Sequence, residues 1–254
     1  MSRKDYLIPA GLIALSLVPG IAGTARVVEL AGNALVTPDN ARFVAMPLPV
    51  LLHIPAAVVY SVLGALQFSP GLRQRARGWH RASGRVLLPL GVLVALSGLW
   101  MTLAYPWPAG DGLMVYIERL LVGIAMLAAL MLGAQAIVRR NFRAHGDWMT
   151  RAYALGLGAG TQVLTHLPWF MLMDTRPGEL ARGIMMGGAW LINAIAAEWI
   201  IRRNRGGRRG ENQAVTRATT RRTSGATTAT VGNATGQVVT QLRTQAPGMP
   251  SCQP

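Results

Sequence analysis

Apolar residues along this chain fall in long blocks separated by short polar segments, not at the spacing of an amphipathic surface helix. A helix needs roughly 20 such residues to cross ~30 Å of hydrocarbon. Six blocks qualify, near residues 6–25, 43–67, 85–105, 116–138, 148–172 and 181–201. Barrel strands are short and alternate polar with apolar, whereas "VLVALSGLWMTLA" and "LLVGIAMLAALMLGA" are apolar on every side. The pattern predicts an all-α, polytopic membrane bundle of six transmembrane helices over residues 1–201. The first block, in "MSRKDYLIPAGLIALSLVPGIAGTA", shares the basic start and small residues of a secretory signal. Its apolar part exceeds the roughly 7–15 residues of a signal core, so a retained helix is expected.

Composition agrees: 51% of the residues are hydrophobic and 14% charged. Basic residues resist translocation. "MSRK", "RQRARGWHRASGR", "RRNFRAH" and "RRNRGGRR" are strongly basic, while "ELAGNALVTPDN", "YPWPAGDG" and "MDTRPGE" are not. Strict alternation follows, which predicts a bacterial inner-membrane protein with both termini in the cytoplasm. Trp79, Trp107, Trp148, Trp169 and Trp199 fall near the ends of the apolar blocks, where amphipathic rings suit the headgroup level.

The formal charge of +15 is accounted for by these loops and by the tail, so no nucleic-acid partner is inferred. From residue 202 to 254 the chain is rich in Thr, Gly, Gln and Arg and has no aromatic residue. Such a segment buries too little apolar surface to offset its ordering entropy, and a disordered basic cytoplasmic tail is expected. Its first arginines, with the lipid bilayer beside them, are suited to anionic lipid. Oligomeric state has no signature in the sequence.

The single cysteine, Cys252, excludes CxxC redox pairs and thiolate-held iron–sulfur clusters within one chain. There is no GxxxxGK[ST], HExxH or GxSxG motif, and no GxGxxG placed after a strand. No nucleophile with a positioned base can be named, so acyl transfer and proteolysis are not expected, and an enzyme is not the favoured class. Any chemistry must come from a few polar residues inside the apolar blocks.

In the second block His53, Tyr60 and Gln67 recur every seven residues and form one stripe, with Gly64 beside it. In the fifth block Gly158, Gln162, Thr165 and His166 form another, among small residues that let a neighbour approach. In the sixth, Trp190, Asn193, Ala197 and Glu198 share a face, and Glu198 is placed to pair with Arg85 or Arg151, or to relay protons. Glu118 and Arg119 read as an interfacial pair. The four histidines sort by depth into an outer pair, His53 and His166, and an inner pair, His80 and His145. A bis-imidazole site needs neutral nitrogens from facing helices, each ring held by a bond at its other nitrogen. Haem b held by these histidines is therefore the candidate cofactor. The alternative is an interfacial role for His80 and His145 and interhelical hydrogen bonding for His53, Tyr60, Gln67 and Gln162.

His53, "GALQF" at the end of the second block, "HRASGR" entering the third and "HGDWMTRAYAL" entering the fifth together resemble the bacterial predicted-membrane-protein family called domain of unknown function 2306. The likeness covers roughly residues 43–172. Its pattern falls on His53, Gln67, Phe68, His80, Arg81, Gly84, Arg85, His145, Trp148, Met149, Arg151 and Tyr153. This resemblance implies a membrane bundle and no assigned activity. A looser likeness, to b561-type di-haem cytochromes, implies six helices with ligands on the central four. Here the fourth block has no histidine and the fifth carries none but His166, with His145 just before it. The sequence thus leaves two functional classes: a membrane electron carrier with haem b, or a non-redox membrane protein, either a transporter of small solutes or protons or a scaffold.

Overall fold

A computed structural model of the chain describes residues 3–32 and 35–206; the expected disordered tail lies outside them from residue 207. The described residues contain nine helices and no strand. In chain order these are α1 (Arg3–Ala31), α2 (Ala41–Ala45), α3 (Pro47–Gln67), α4 (Pro70–Arg75), α5 (Arg77–Ala104), α6 (Leu113–Val138), α7 (Phe142–Gly156), α8 (Gly158–Leu172) and α9 (Glu179–Gly206). Five of them, α1, α3, α5, α6 and α9, are long and apolar enough to cross a membrane. The expected fifth continuous span is instead divided into α7 and α8, each 15 residues long.

Boundaries shift where local chemistry demands. The second block begins as the short α2, because Pro47 forces Met46 out of the helical region (φ −142°, ψ 79°) and α3 starts anew at the proline. The third span starts at Arg77 rather than near 85, so the basic stretch with His80, Arg81 and Arg85 is already helical. Before it, Ser69 caps α4 by accepting from Leu72 N–H.

The faces turned away from the bundle are apolar: Leu103, Leu121, Ile124, Leu164 and Ile195 are all more than half exposed. Such a surface suits hydrocarbon, not water. The core lies between α3, α5, α6 and α7, around Tyr60, Leu130, Ala152 and Tyr153. α3 and α5 run antiparallel, with His53 beside Ser97, Tyr60 against Gly91 and Gln67 bonded to Ser83. Glycines admit the large rings: Gly64 lies directly under Tyr153, and a Cβ at Gly91 would stand 2.7 Å from the Tyr60 ring.

Between α7 and α8 the backbone turns at Leu157 (φ −76°, ψ −1°). "GLGAG" supplies three glycines in five residues, and glycine weakens a helix by about 1 kcal/mol each. Each glycine serves a close approach: Gly156 to Tyr60, Gly158 to the Trp190 indole, and Gly160 to the Leu15 carbonyl of α1. Ala154 O, the acceptor for Gly158 N–H in an unbroken helix, accepts from Asn193 Nδ2 at 3.0 Å. Asn193 Oδ1 in turn accepts from Thr161 Oγ1 at 2.8 Å. One amide of α9 thus bridges the two half-helices and satisfies the carbonyl that the break frees.

Candidate functional site: a cavity in the bundle

A cavity of about 1060 Å³ opens between α1, α3, α5, α6, α8 and α9. That is at the upper end of the ~300–1,000 Å³ of small-molecule sites. Most of its wall is aliphatic, from residues such as Leu17, Val58, Val62 and Met126; His53, Ser61, Gln162 and Trp190 provide the polar atoms at depth.

His53 is oriented by α5. Its Nδ1 lies 3.1 Å from Val94 O and 3.0 Å from Ser97 Oγ. Ser97 already donates its proton to Leu93 O at 2.5 Å, and a backbone carbonyl only accepts. Nδ1 therefore carries the proton and Nε2 keeps its lone pair, in a ring that lines the cavity. The side-chain nitrogen of Gln162 is buried without a hydrogen-bond partner among the described residues. His53 Nε2 thus offers an acceptor in an apolar chamber beside the helix break, with Gln162 in its wall.

The mouth is built from the ends of α1, α2, α5, α6 and α9. Asp111, with its side chain 3% exposed, binds Arg119 and Arg182, both at 2.5 Å. This corrects the expected Glu118–Arg119 pair: Arg119 turns to Asp111, and Glu118 Oε2 is buried against α9 near Gly187 without a hydrogen-bond partner among the described residues. Phe43 is sandwiched between the guanidinium groups of Arg26 and Arg42, 5.2 and 4.6 Å from its centroid, and its edge meets Tyr105. Tyr105 donates its hydroxyl to Met46 O; burial pushes its pKa up, which preserves the donor. Asn40, fully buried, donates to Glu29 and Leu35 O and fixes the start of α2.

The other residues singled out from the sequence are distributed as follows. Tyr60 is buried among Gly91, Gly156 and Tyr153. Gln67 donates to Ser83 at 2.6 Å. Arg151 binds Glu198 in a two-point contact, at 2.5 and 3.2 Å, and lies over Trp148. Arg85 is exposed and makes no ion pair among the described residues. His166 is turned onto its own helix, with Nδ1 2.8 Å from Gln162 O and its ring stacked on Phe170; it is not among the residues that line the cavity with His53. At the opposite end, His145 Nδ1 lies 2.9 Å from Gly133 O, and His80 Nδ1 is buried without a hydrogen-bond partner among the described residues. No three His, Cys, Asp or Glu side chains gather as a metal-ligand set among the described residues.

Sequence reading overlooked the mouth. Arg26, Arg42, Arg119 and Arg182 sit singly in four different segments, each too sparse to register as a basic loop. The available signal was their position on the side whose loops are poor in basic residues.

Bundle, lipid-facing belt and internal cavity together define a polytopic helical membrane protein. Residues 50–201 match the family described as predicted membrane protein (DUF2306), and the chain belongs to it. The match extends beyond the sequence resemblance to include α9, whose Asn193 and Glu198 bind α7 and α8. No curated protein and no solved structure gives a significant match.

Proposed function

We propose that this protein binds a small solute in the cavity of its membrane bundle, as a transporter or a solute-binding component without redox chemistry of its own. The observation that carries this reading is the chamber of about 1060 Å³ lined by His53, whose ring is oriented by Val94 and Ser97. Discontinuous helices at membrane depth are a recurrent way of exposing polar groups to a solute, and α7 and α8 meet beside this chamber. In the orientation given by the basic loops, with the protein in a bacterial inner membrane, the mouth at Asp111 faces outward. The basic inner side then lies against anionic lipid.

Cysteine accessibility tests the reading. In a variant lacking Cys252, Ser61→Cys on the cavity wall should react with a membrane-impermeant thiosulfonate at least tenfold faster than Leu164→Cys on the lipid face. Equal rates would mean that the chamber is not open to water, and the solute-binding reading would fall.

A second reading, haem b, is supported at the inner end alone. His145 Nδ1 faces a backbone carbonyl, which leaves its Nε2 as the ligating nitrogen, and His80 stands on a different helix. Bound there, the iron would supply one-electron chemistry, and these imidazoles would hold it from α5 and α7. His53 and His166 do not fit a shared haem, because His53 lines the cavity and His166 does not. Dithionite-reduced absorption spectra of purified protein, with and without His145→Ala, decide the matter: a sharp alpha band lost in the variant supports this site. A colourless protein that takes up no added haemin removes it.

A further inference from the structure

Around the cavity mouth the charges are unevenly paired. Arg26, Arg42, Arg119 and Arg182 contribute four guanidinium groups. Arg26 is paired with Glu29, while Asp111 shares its two oxygens between Arg119 and Arg182. Glu118 lies beside Arg119, and Glu179 reaches Gly112 next to Asp111, so the carboxylates are gathered on the Arg119 and Arg182 side. Arg42 is the member with no carboxylate within ion-pairing distance among the described residues; it lies over the face of Phe43. Burial lowers its pKa, Asp111 opposes that, and Arg119, Arg26 and Arg182 add to the lowering. An arginine keeps its charge under such pressure. Arg42 and Arg119 both line the cavity, so an uncompensated positive charge stands at the entrance of a mainly aliphatic chamber.

We propose that the cavity accepts an anionic amphiphile, with its carboxylate or phosphate head between Arg42 and Arg119 and its alkyl chain directed toward Trp190. This inference rests on the solute-binding reading and names the class of solute. A guanidinium offers several donors in a planar fork that suits carboxylate and phosphate oxygens. Half-burial strengthens the attraction relative to an exposed arginine. Aliphatic residues of α1 and α3, among them Ile13, Leu17, Ile54 and Val58, offer the chain an apolar wall. A neutral or cationic head would leave Arg42 without a counter-ion, so the mouth discriminates by sign. The anion has two sources, a free carboxylic acid or an anionic phospholipid of the surrounding leaflet, and both present the same chemistry to Arg42.

The full chain in nanodiscs of phosphatidylcholine tests this. Saturable quenching of tryptophan emission by 12-bromododecanoate is measured beside that by 12-bromododecanol, since Trp107 and Trp190 line the cavity. Saturable binding of the carboxylate, weakened about tenfold in Arg42→Gln and weakened by added salt, with the alcohol much weaker, is the expected result. Loss of the carboxylate signal on including phosphatidylglycerol in the disc identifies a bilayer lipid as the occupant; retention identifies a free acid. Equal binding of alcohol and acid, or an unchanged affinity in Arg42→Gln, overturns the anion proposal while leaving a solute cavity. Absence of saturable binding by either compound overturns the amphiphile proposal, and the accessibility of Ser61→Cys then decides separately whether the chamber admits water.

Discussion

At the scale of single residues, the bundle is held by polar groups that each meet one partner on a neighbouring helix. Tyr153 donates to Ser61 O at 2.7 Å while its ring lies on Gly64, Tyr60 and Phe68. Tyr153→Phe is expected to cost about 0.6–1 kcal/mol, the range of interhelical bonds in membranes. Gly64→Ala drives a methyl into the same ring and is expected to cost about 1–3 kcal/mol. Thermal unfolding in a single detergent compares the two; equal stability of Gly64→Ala and wild type would show that the ring is not seated there. The Arg151–Glu198 pair is partly exposed, at 26% and 40%, so a coupling of only about 0.2–1 kcal/mol is expected from a double-mutant cycle with Arg151→Gln and Glu198→Gln. His53 teaches a different lesson. Its seven-residue spacing with Tyr60 and Gln67 shows which face it occupies, but not which nitrogen is free; Val94 and Ser97, more than forty residues away, decide that.

At the scale of elements, the break between α7 and α8 is the main departure from the sequence pattern. Hydropathy averages over a window and registers a continuous apolar block through "ALGLGAGTQ". The glycines lower the cost of a turn, and Asn193 takes up the carbonyl the turn frees. Asn193→Ala should destabilise the protein by about 1–2 kcal/mol, through the unpaired Ala154 carbonyl and Thr161 hydroxyl. Gly158→Ala should be harmful because the Trp190 indole occupies its Cβ position. Trp190→Leu should relieve that harm in the double variant. If the double variant is no more stable than the sum of the single effects predicts, the contact between Gly158 and Trp190 is not the source. The α2–α3 break differs: Pro47 marks it in the sequence itself.

At the scale of the whole molecule, the lipid-facing belt and the cavity are two surfaces of the same helices. Ile124, midway along α6 and 57% exposed, belongs to the belt. Ile124→Arg should raise the insertion cost of that span by about 2.5–3.5 kcal/mol, measurable in a glycosylation-based insertion assay. Insertion as efficient as wild type would indicate that this face does not meet hydrocarbon.

Length, apolar blocks and loop charge determined that this is a helical membrane bundle, and approximately where its spans lie, because crossing hydrocarbon imposes a minimum length and forbids unpaired backbone. Family membership was also legible, in "GALQF", "HRASGR" and "HGDWMTR". Tertiary structure alone gathered four scattered arginines near Asp111, turned His166 onto its own helix, and opened a chamber lined by His53. Those outcomes depend on how helices distant in sequence rotate and approach one another, which is fixed by glycine contacts and single interhelical bonds rather than by the hydropathy of any one segment.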